Sequence, residues 1–136
     1  MDGGSAKSSM SDKRRHERFE ERNRVAVTVL SAPEAPHIEH RTFYCWTHDL
    51  SESGLKFCVH SPVPIGALLD LEITFKDPVV RFRHLGRVMW EQEFEEDHVI
   101  SNWLGVRFTE TVGGDDAAAK WAAMIIGKLR SPAGSG

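Results

Sequence analysis

The chain has 136 residues, of which 40% are hydrophobic and 27% are charged, and these proportions suit one globular domain with a single core. Its 17 lysines and arginines against 20 aspartates and glutamates give a net charge of −3, which argues against a general affinity for nucleic-acid polymers. No apolar run is long enough to cross a membrane, and the first residues lack the apolar block of a signal peptide. The composition therefore predicts a cytoplasmic protein without membrane insertion.

The N-terminal segment changes character at residue 13. Residues 1–12 are rich in Gly, Ser and Asp and are predicted to form a disordered tail. Residues 13–23 contain one large apolar side chain, Phe19, and cannot bury themselves, so they are predicted to form a flexible arm. The positive charges of this arm include three closely spaced arginines, Arg14, Arg15 and Arg18.

The middle of the chain is dominated by residues that alternate between apolar and polar, which is typical of β-strands. The predicted strands cover residues 24–31, 41–47, 55–60, 69–76 and 79–92, with a last strand through Leu104, Val106 and Phe108. Residues 32–39 hold two prolines and are predicted to be a loop. The acidic stretch 91–97 is also predicted to be a loop.

Pairing the second and third strands about a turn at residues 49–54 predicts which of their side chains face the core. The buried face would carry Tyr44, Trp46, Leu55, Phe57 and Val59. The opposite face would carry Phe43, Cys45, Lys56, Cys58 and His60. This register sets the two cysteines opposite each other, and we expect two free thiols because a cytosolic chain keeps its thiols reduced.

The C-terminal part predicts one helix over residues 115–130, capped by Asp115 and Asp116 and followed by a loose tail at 131–136. Its apolar stripe would pack on the sheet or on another chain, and consists of Trp121, Met124, Ile125 and Leu129. Six short strands with close turns favour an antiparallel barrel or sandwich, with this helix covering one opening or flank.

No set of residues points to catalysis, so the chain is not predicted to be an enzyme. The seven histidines are scattered without a third metal ligand at useful spacing and are predicted to be surface residues. Ser51 lacks the sequence context of a nucleophile, and no glycine-rich phosphate loop precedes a helix. Neither a catalytic residue, a metal nor a cofactor is predicted.

Two polar stretches suggest a ligand site instead. Asp49, Ser51 and Gly54 have the spacing of a tight turn, in which short side-chain oxygens bond backbone N–H groups and glycine takes a positive φ. The arginines of the arm can pair bidentately with phosphate oxygens or with guanine O6 and N7, and they can stack on bases. The alternative interpretation of the arm is a solvated run of charge.

The order of these motifs resembles the PilZ domain family of bacterial receptors for cyclic di-GMP. The resemblance rests on Arg14-x-x-x-Arg18 followed by Asp49-x-Ser51-x-x-Gly54. Three further stretches resemble the strand pattern of the family, namely Pro64-Ile65-Gly66, Gly86-Arg87-Val88 and Leu104-Gly105-Val106-Arg107-Phe108. The resemblance implies a mainly β domain over residues 13–130, with an arm at 13–23, a six-stranded antiparallel β-barrel at 24–109 and a helix at 115–130.

The resemblance also implies the ligand-binding residues. Arg14 and Arg18 would grip cyclic di-GMP, Arg15 would join them, and Asp49, Ser51 and Gly54 would form the turn beneath the ligand. Arg18 and Arg22 fit the spacing of the arginine pair as well and remain an alternative. Trp90 is a candidate either for stacking on a guanine or for core packing, whereas Arg87 and Arg107 are rim charges or part of a solvated face.

The resulting expectation is a receptor that orders its arginine arm on cyclic di-GMP and signals to an unidentified effector protein. The alternative is a PilZ-like interaction module that binds no nucleotide. A monomer or a weak homodimer is expected, and either one ligand or an intercalated pair is compatible with the motifs.

Overall fold

The computed structural model describes residues 22–76 and 79–130. The predicted tails at 1–12 and 131–136 lie outside the described residues. The same holds for most of the predicted arm, with its arginines Arg14, Arg15 and Arg18.

Six antiparallel strands close into a barrel, and one helix follows them, which confirms the predicted fold class. The strands are β1 (Arg24–Ser31), β2 (Thr42–Leu50), β3 (Gly54–Val59), β4 (Leu68–Lys76), β5 (Val79–Glu96) and β6 (Val99–Thr111), and the helix is α1 (Gly114–Arg130). Their order around the barrel is β1-β2-β3-β6-β5-β4. Part of the predicted loop between β1 and β2 forms a short 3-10 helix at Pro36–Ile38.

The barrel interior follows from the alternation of apolar residues along the strands. In β4, Leu69, Leu71, Ile73 and Phe75 are fully buried, while the residues between them lie nearer to solvent. Burying an aliphatic or aromatic side chain of this size contributes about 1.5–3 kcal/mol before the loss of chain entropy. Each strand therefore gives one row of side chains to the core and leaves the other row for the outer surface.

The predicted orientation of β2 is wrong in its first half. Tyr44 is 76% exposed and Trp46 is 44% exposed, whereas Phe43 and Cys45 pack against the core. A bulge causes the difference, because Thr47 pairs with Phe57 but Asp49 already pairs with Lys56. One extra residue in a strand reverses which side chains face inward on either side of it.

The acidic stretch 91–97 is not the predicted loop. It continues β5 to Glu96, pairs with the start of β6 and turns at Asp97 and His98, which both have positive φ values. Two residues with positive φ form the tight turn whose twist matches that of antiparallel strands. The aromatic contact between Phe94 and Trp103, with stacked rings 5.8 Å apart, supports this extension.

The helix packs against its own barrel through the predicted stripe. Trp121 and Ile125 are buried and Met124 is partly buried against the core, while the Leu129 side chain lies outside what is described. No helix in the described ranges is long and apolar enough to cross a membrane.

His84 departs from the prediction of surface histidines, because it is fully buried beneath the helix. Its ring stacks on Phe108 at 4.0 Å and meets Trp121 edge-on at 4.4 Å. Nδ1 lies 3.1 Å from the Thr111 hydroxyl, while Nε2 is buried and has no hydrogen-bond partner among the described residues. Burial lowers the pKa of His84 to about 4, so the imidazole is neutral at pH 7.

Candidate ligand-binding site

The turn between β2 and β3 is tighter than predicted, because the two strands continue to Leu50 and resume at Gly54. The Ser51 backbone N–H donates to the Gly54 carbonyl at 2.9 Å, and the Ser51 hydroxyl donates to the same oxygen at 3.3 Å. Asp49 thus stands at the end of a strand, half-buried, with its carboxylate 3.6 Å from the Lys56 ammonium.

Gly54 is needed for a different reason than the sequence predicted. Its φ is not among the positive values of the described residues, so the expected left-handed conformation is wrong. A Cβ at this position would lie 2.2 Å from the backbone oxygen of Val106 and 3.3 Å from the Cα of Arg107. Glycine is therefore required because β3 and β6 approach each other too closely for a side chain.

Two hydrogen bonds fix the tip of the turn to the rest of the molecule. The Trp121 indole N–H donates to the Glu52 carbonyl at 3.0 Å, and the Phe108 backbone N–H donates to the Ser53 carbonyl at 2.8 Å. The first bond comes from the helix and the second from β6. The turn is consequently held from two directions, although all three of its residues lie at the surface.

Four of the residues predicted from the sequence line one surface pocket of about 240 Å³, namely Asp49, Ser51, Gly54 and Trp90. The other lining residues are Ser53, Leu55, Lys56, Met89, Gly105, Val106 and Arg107. Apart from Ser53, which belongs to the turn, these added residues come from β3, β5 and β6, and only the pairing of those strands in three dimensions brings them to the turn.

Trp90 reaches the pocket because β5 bulges just before it. Val88 pairs with Val106 and Trp90 pairs with the next residue of β6, Gly105, so Met89 is the extra residue. The indole is 41% exposed and lies directly over Gly105, where a Cβ would come within 2.1 Å of Nε1. Of the two predicted roles for Trp90, the geometry fits an outer aromatic surface rather than the core.

The charges of the pocket favour an anionic, aromatic ligand. Lys56 and Arg107 are cationic, and Asp49 is the single acidic residue among the described residues that line the pocket. The Lys56 ammonium also lies 5.3 Å from the centre of the Trp103 ring. Cations bind phosphate oxygens, and exposed indole faces stack on heteroaromatic rings. The described ranges hold no group of three or more His, Cys, Asp or Glu residues placed to bind a metal ion.

A family model for the PilZ domain matches residues 12–120. The chain belongs to the PilZ family. No curated protein matches it in sequence.

Solved structures share the PilZ fold at low sequence identity. The inhibitor of motility MotI/DgrA from Bacillus subtilis aligns at a TM-score of 0.58 and 13% identity, over 82% of this chain and 48% of that one. The PilZ domain of YcgR from Escherichia coli, solved with c-di-GMP, aligns at 0.58 and 13% identity, over 87% and 93%. PlzA from Borreliella burgdorferi, in complex with c-di-GMP, aligns at 0.53 and 11% identity, over 91% and 57%. The chain thus spans about half of MotI/DgrA and PlzA but nearly all of the YcgR domain.

This PilZ barrel has a second and larger opening, of about 540 Å³, on its β2–β3 side. Here β2 pairs with β1 but not with β3, since the β2–β3 ladder begins only at Thr47. Both cysteines line the opening and both are free, as expected. Burial, together with the neighbouring Cys58, raises the pKa of the Cys45 thiol to about 12. Arg22 lines this opening and not the turn pocket.

Proposed function

We propose that this chain is a receptor for cyclic di-GMP and not an enzyme. The observation that supports this most strongly is that the turn residues Asp49, Ser51 and Gly54 line one pocket together with Trp90, which lies far from them in the sequence. The structures of YcgR and PlzA were solved with this ligand. Cyclic di-GMP carries two phosphates and two guanines, which suit the cations and the exposed indole of the pocket.

Each residue of the proposed site has a distinct role. Asp49 accepts hydrogen bonds from the N–H edge of a guanine, because a carboxylate is an acceptor only. Ser51 and Gly54 shape the turn so that a base can approach its backbone. Trp90 provides a face on which a guanine stacks.

The arginine arm completes the proposed site from outside the barrel. Arg14 and Arg18 bind the phosphates and guanine edges, and Arg15 joins them. The alternative pair would use Arg22, whose side chain lines the other opening of the barrel, and this position favours the pair Arg14 and Arg18.

The predicted arm ends earlier than residue 23, since Asn23 is buried and exchanges two hydrogen bonds with Thr47. Ligand binding is therefore proposed to order the part of the arm that precedes Arg22 over the turn pocket. The charge-assisted hydrogen bonds of the arginines offset the conformational entropy that the arm loses. The ordered arm presents a new surface to an effector protein, so the output of the receptor passes through a partner.

Calorimetric titration with cyclic di-GMP tests the proposal. We expect the wild-type chain to bind, and the double variant Arg14→Ala/Arg18→Ala to lose about 1.5–3 kcal/mol per arginine. Arg22→Ala serves as the matched control and should bind as the wild type does. The stoichiometry of the titration separates one bound ligand from an intercalated pair.

Two results would contradict parts of this proposal. If the wild-type chain releases no heat at high micromolar ligand, the receptor function is wrong and a PilZ-like interaction module remains. If Arg22→Ala binds cyclic di-GMP more weakly than the wild type does, Arg22 contacts the ligand and the pair Arg14 and Arg18 has been misassigned.

A further inference from the structure

Arg107 is a cation of the turn pocket whose side chain has no partner among the described residues. Its side chain is exposed at the pocket, and within the described part of the chain it makes no hydrogen bond or ion pair. Two nearby cations are engaged, since Lys56 pairs with Asp49 at 3.6 Å and Arg87 donates to the Gly66 carbonyl at 2.8 Å. Arg107 therefore stands at the pocket with its donors available.

The cross-strand neighbours of Arg107 leave its charge unbalanced. On one side it pairs with Arg87, and on the other side with Gly54, which has no side chain. Like charges directly opposite each other on a sheet destabilise the folded state. An anion bound beside the two arginines would offset this repulsion, and neither neighbouring strand supplies one at this register.

The backbone around Arg107 is held firmly. The next residue, Phe108, donates its N–H to the Ser53 carbonyl at 2.8 Å. Arg107 itself pairs with Gly54 of β3 on one side and with Arg87 of β5 on the other, so the strand cannot shift without breaking the sheet ladder. A guanidinium carried by such a rigid strand loses less freedom on binding than one carried by a mobile segment.

We propose that Arg107 binds one phosphate of the dinucleotide from the barrel side. The guanidinium fork matches two phosphate oxygens. Arg107 follows Gly105 by two residues and so shares its face of β6, the face on which the Trp90 indole lies. One base on Trp90 and its adjacent phosphate on Arg107 would make the barrel itself a half-site. This inference rests on the proposed function and deepens it.

The experiment is a calorimetric titration of cyclic di-GMP into the wild type, Arg107→Ala, Arg107→Gln and Arg81→Ala. Arg81 is the matched control because it is an exposed arginine of β5 that does not line the pocket. We expect both Arg107 variants to bind about 10- to 100-fold more weakly, as the loss of a charged hydrogen bond implies. Arg81→Ala should stay within about twofold of the wild type, the change usual for an exposed position.

Two further measurements separate a ligand contact from a structural role. The ligand-free melting temperature of Arg107→Ala should equal or exceed that of the wild type, because its repulsion with Arg87 is relieved. Arg107→Gln keeps a long side chain without the charge. If the alanine variant folds poorly, the affinity of Arg107→Gln shows whether Arg107 contacts the ligand. The affinity of the wild type should fall more steeply with salt than that of Arg107→Gln, as expected for a contact to phosphate.

The outcomes distinguish this inference from the proposed function. If the wild type binds and both Arg107 variants bind as Arg81→Ala does, the role of Arg107 is wrong and the receptor remains. Equal salt dependence in wild type and Arg107→Gln would overturn the assignment to phosphate. If the wild type itself does not bind, the receptor function fails and the role of Arg107 fails with it.

Discussion

Two tryptophans near the same turn have opposite environments. Trp121 is 2% exposed and donates its indole N–H to the Glu52 carbonyl, whereas Trp90 is 41% exposed and lies over Gly105. What covers each ring decides its role. Trp121 is a helix residue that packs against an aromatic cluster of the barrel, so it stabilises the fold and anchors the turn. Trp90 faces an open pocket and is available to a ligand.

The largest expected effect on stability comes from removing the buried tryptophan, Trp121. Trp121→Ala should lower the free energy of unfolding by about 3–5 kcal/mol, because it leaves a cavity among the rings of Phe75, Phe82 and His84. Chemical denaturation of the ligand-free protein measures this loss. A change below about 1 kcal/mol would show that the helix contributes little to the stability of the barrel.

Trp121→Phe is the matched control for this prediction. It keeps an aromatic ring but removes the hydrogen bond to Glu52, so beyond the smaller ring volume it should cost about 1 kcal/mol. Because that bond anchors the turn, this variant should also bind cyclic di-GMP more weakly than its stability loss alone explains. Unchanged affinity would show that the hydrogen bond from the helix to the turn does not affect ligand binding.

The second prediction concerns stability at low pH. The titrating side chain of His84 packs against the buried Trp121 and not against Trp90. The folded protein keeps this imidazole neutral down to a pKa of about 4, while the unfolded chain takes up the proton near pH 6.5. Between these values the unfolded state binds more protons, so stability falls as the pH is lowered. The loss should reach about 2–3 kcal/mol near pH 4 and should be absent above pH 7.

The control for the acid effect is His84→Phe, which removes the titrating group together with the buried Nε2, an atom with no hydrogen-bond partner in the described part of the chain. The free energy of unfolding is measured for the wild type and for the variant at pH 7, 6, 5 and 4. In the difference between the two proteins, the contributions of all other titrating groups cancel. We expect this difference to shift in favour of the variant as the pH falls. Parallel curves would mean that His84 is not the acid-sensitive residue.

The sequence predicted the regular part of this structure because the strands follow simple alternation. In β4 every predicted inward residue is buried, and the described residues of the helix stripe, Trp121, Met124 and Ile125, pack against the core. β-Bulges made the remaining side-chain orientations hard to predict, since a single inserted residue reverses which way Tyr44 and Trp46 face in β2. Alternation within one strand carries no signal for such an insertion, because the insertion depends on the partner strand.

The candidate site could also be predicted only where its residues are neighbours in the sequence. The turn motif was visible because its residues are close together in sequence, and the pocket contains them. Lys56, Met89 and Gly105 were not assigned to the site, because they reach it only through the pairing of β3, β5 and β6. The buried His84 was missed for a related reason, since a lone histidine in a strand gives no sign that a helix will cover it.

The smallest expected effect on stability concerns the exposed tryptophan, Trp90. This variant distinguishes most clearly between the roles of the two tryptophans. Trp90→Ala should change stability by about 1 kcal/mol or less, since the ring is partly exposed. It should nevertheless weaken cyclic di-GMP binding by about 1–3 kcal/mol, the contribution of stacking one base on an aromatic side chain. Trp90→Phe is the matched control and should recover most of the affinity, because it restores a stacking face.

Gly105→Ala extends this test by moving the ring instead of removing it. A Cβ at residue 105 would meet the indole at 2.1 Å, so the side chain of Trp90 must rotate away while the backbone can stay in place. We expect a shift in tryptophan fluorescence and an affinity close to that of Trp90→Ala, with a melting temperature near that of the wild type. If Trp90→Ala and Gly105→Ala both bind as the wild type does, the guanine does not stack on Trp90, and the contrast between the two tryptophans reduces to burial alone.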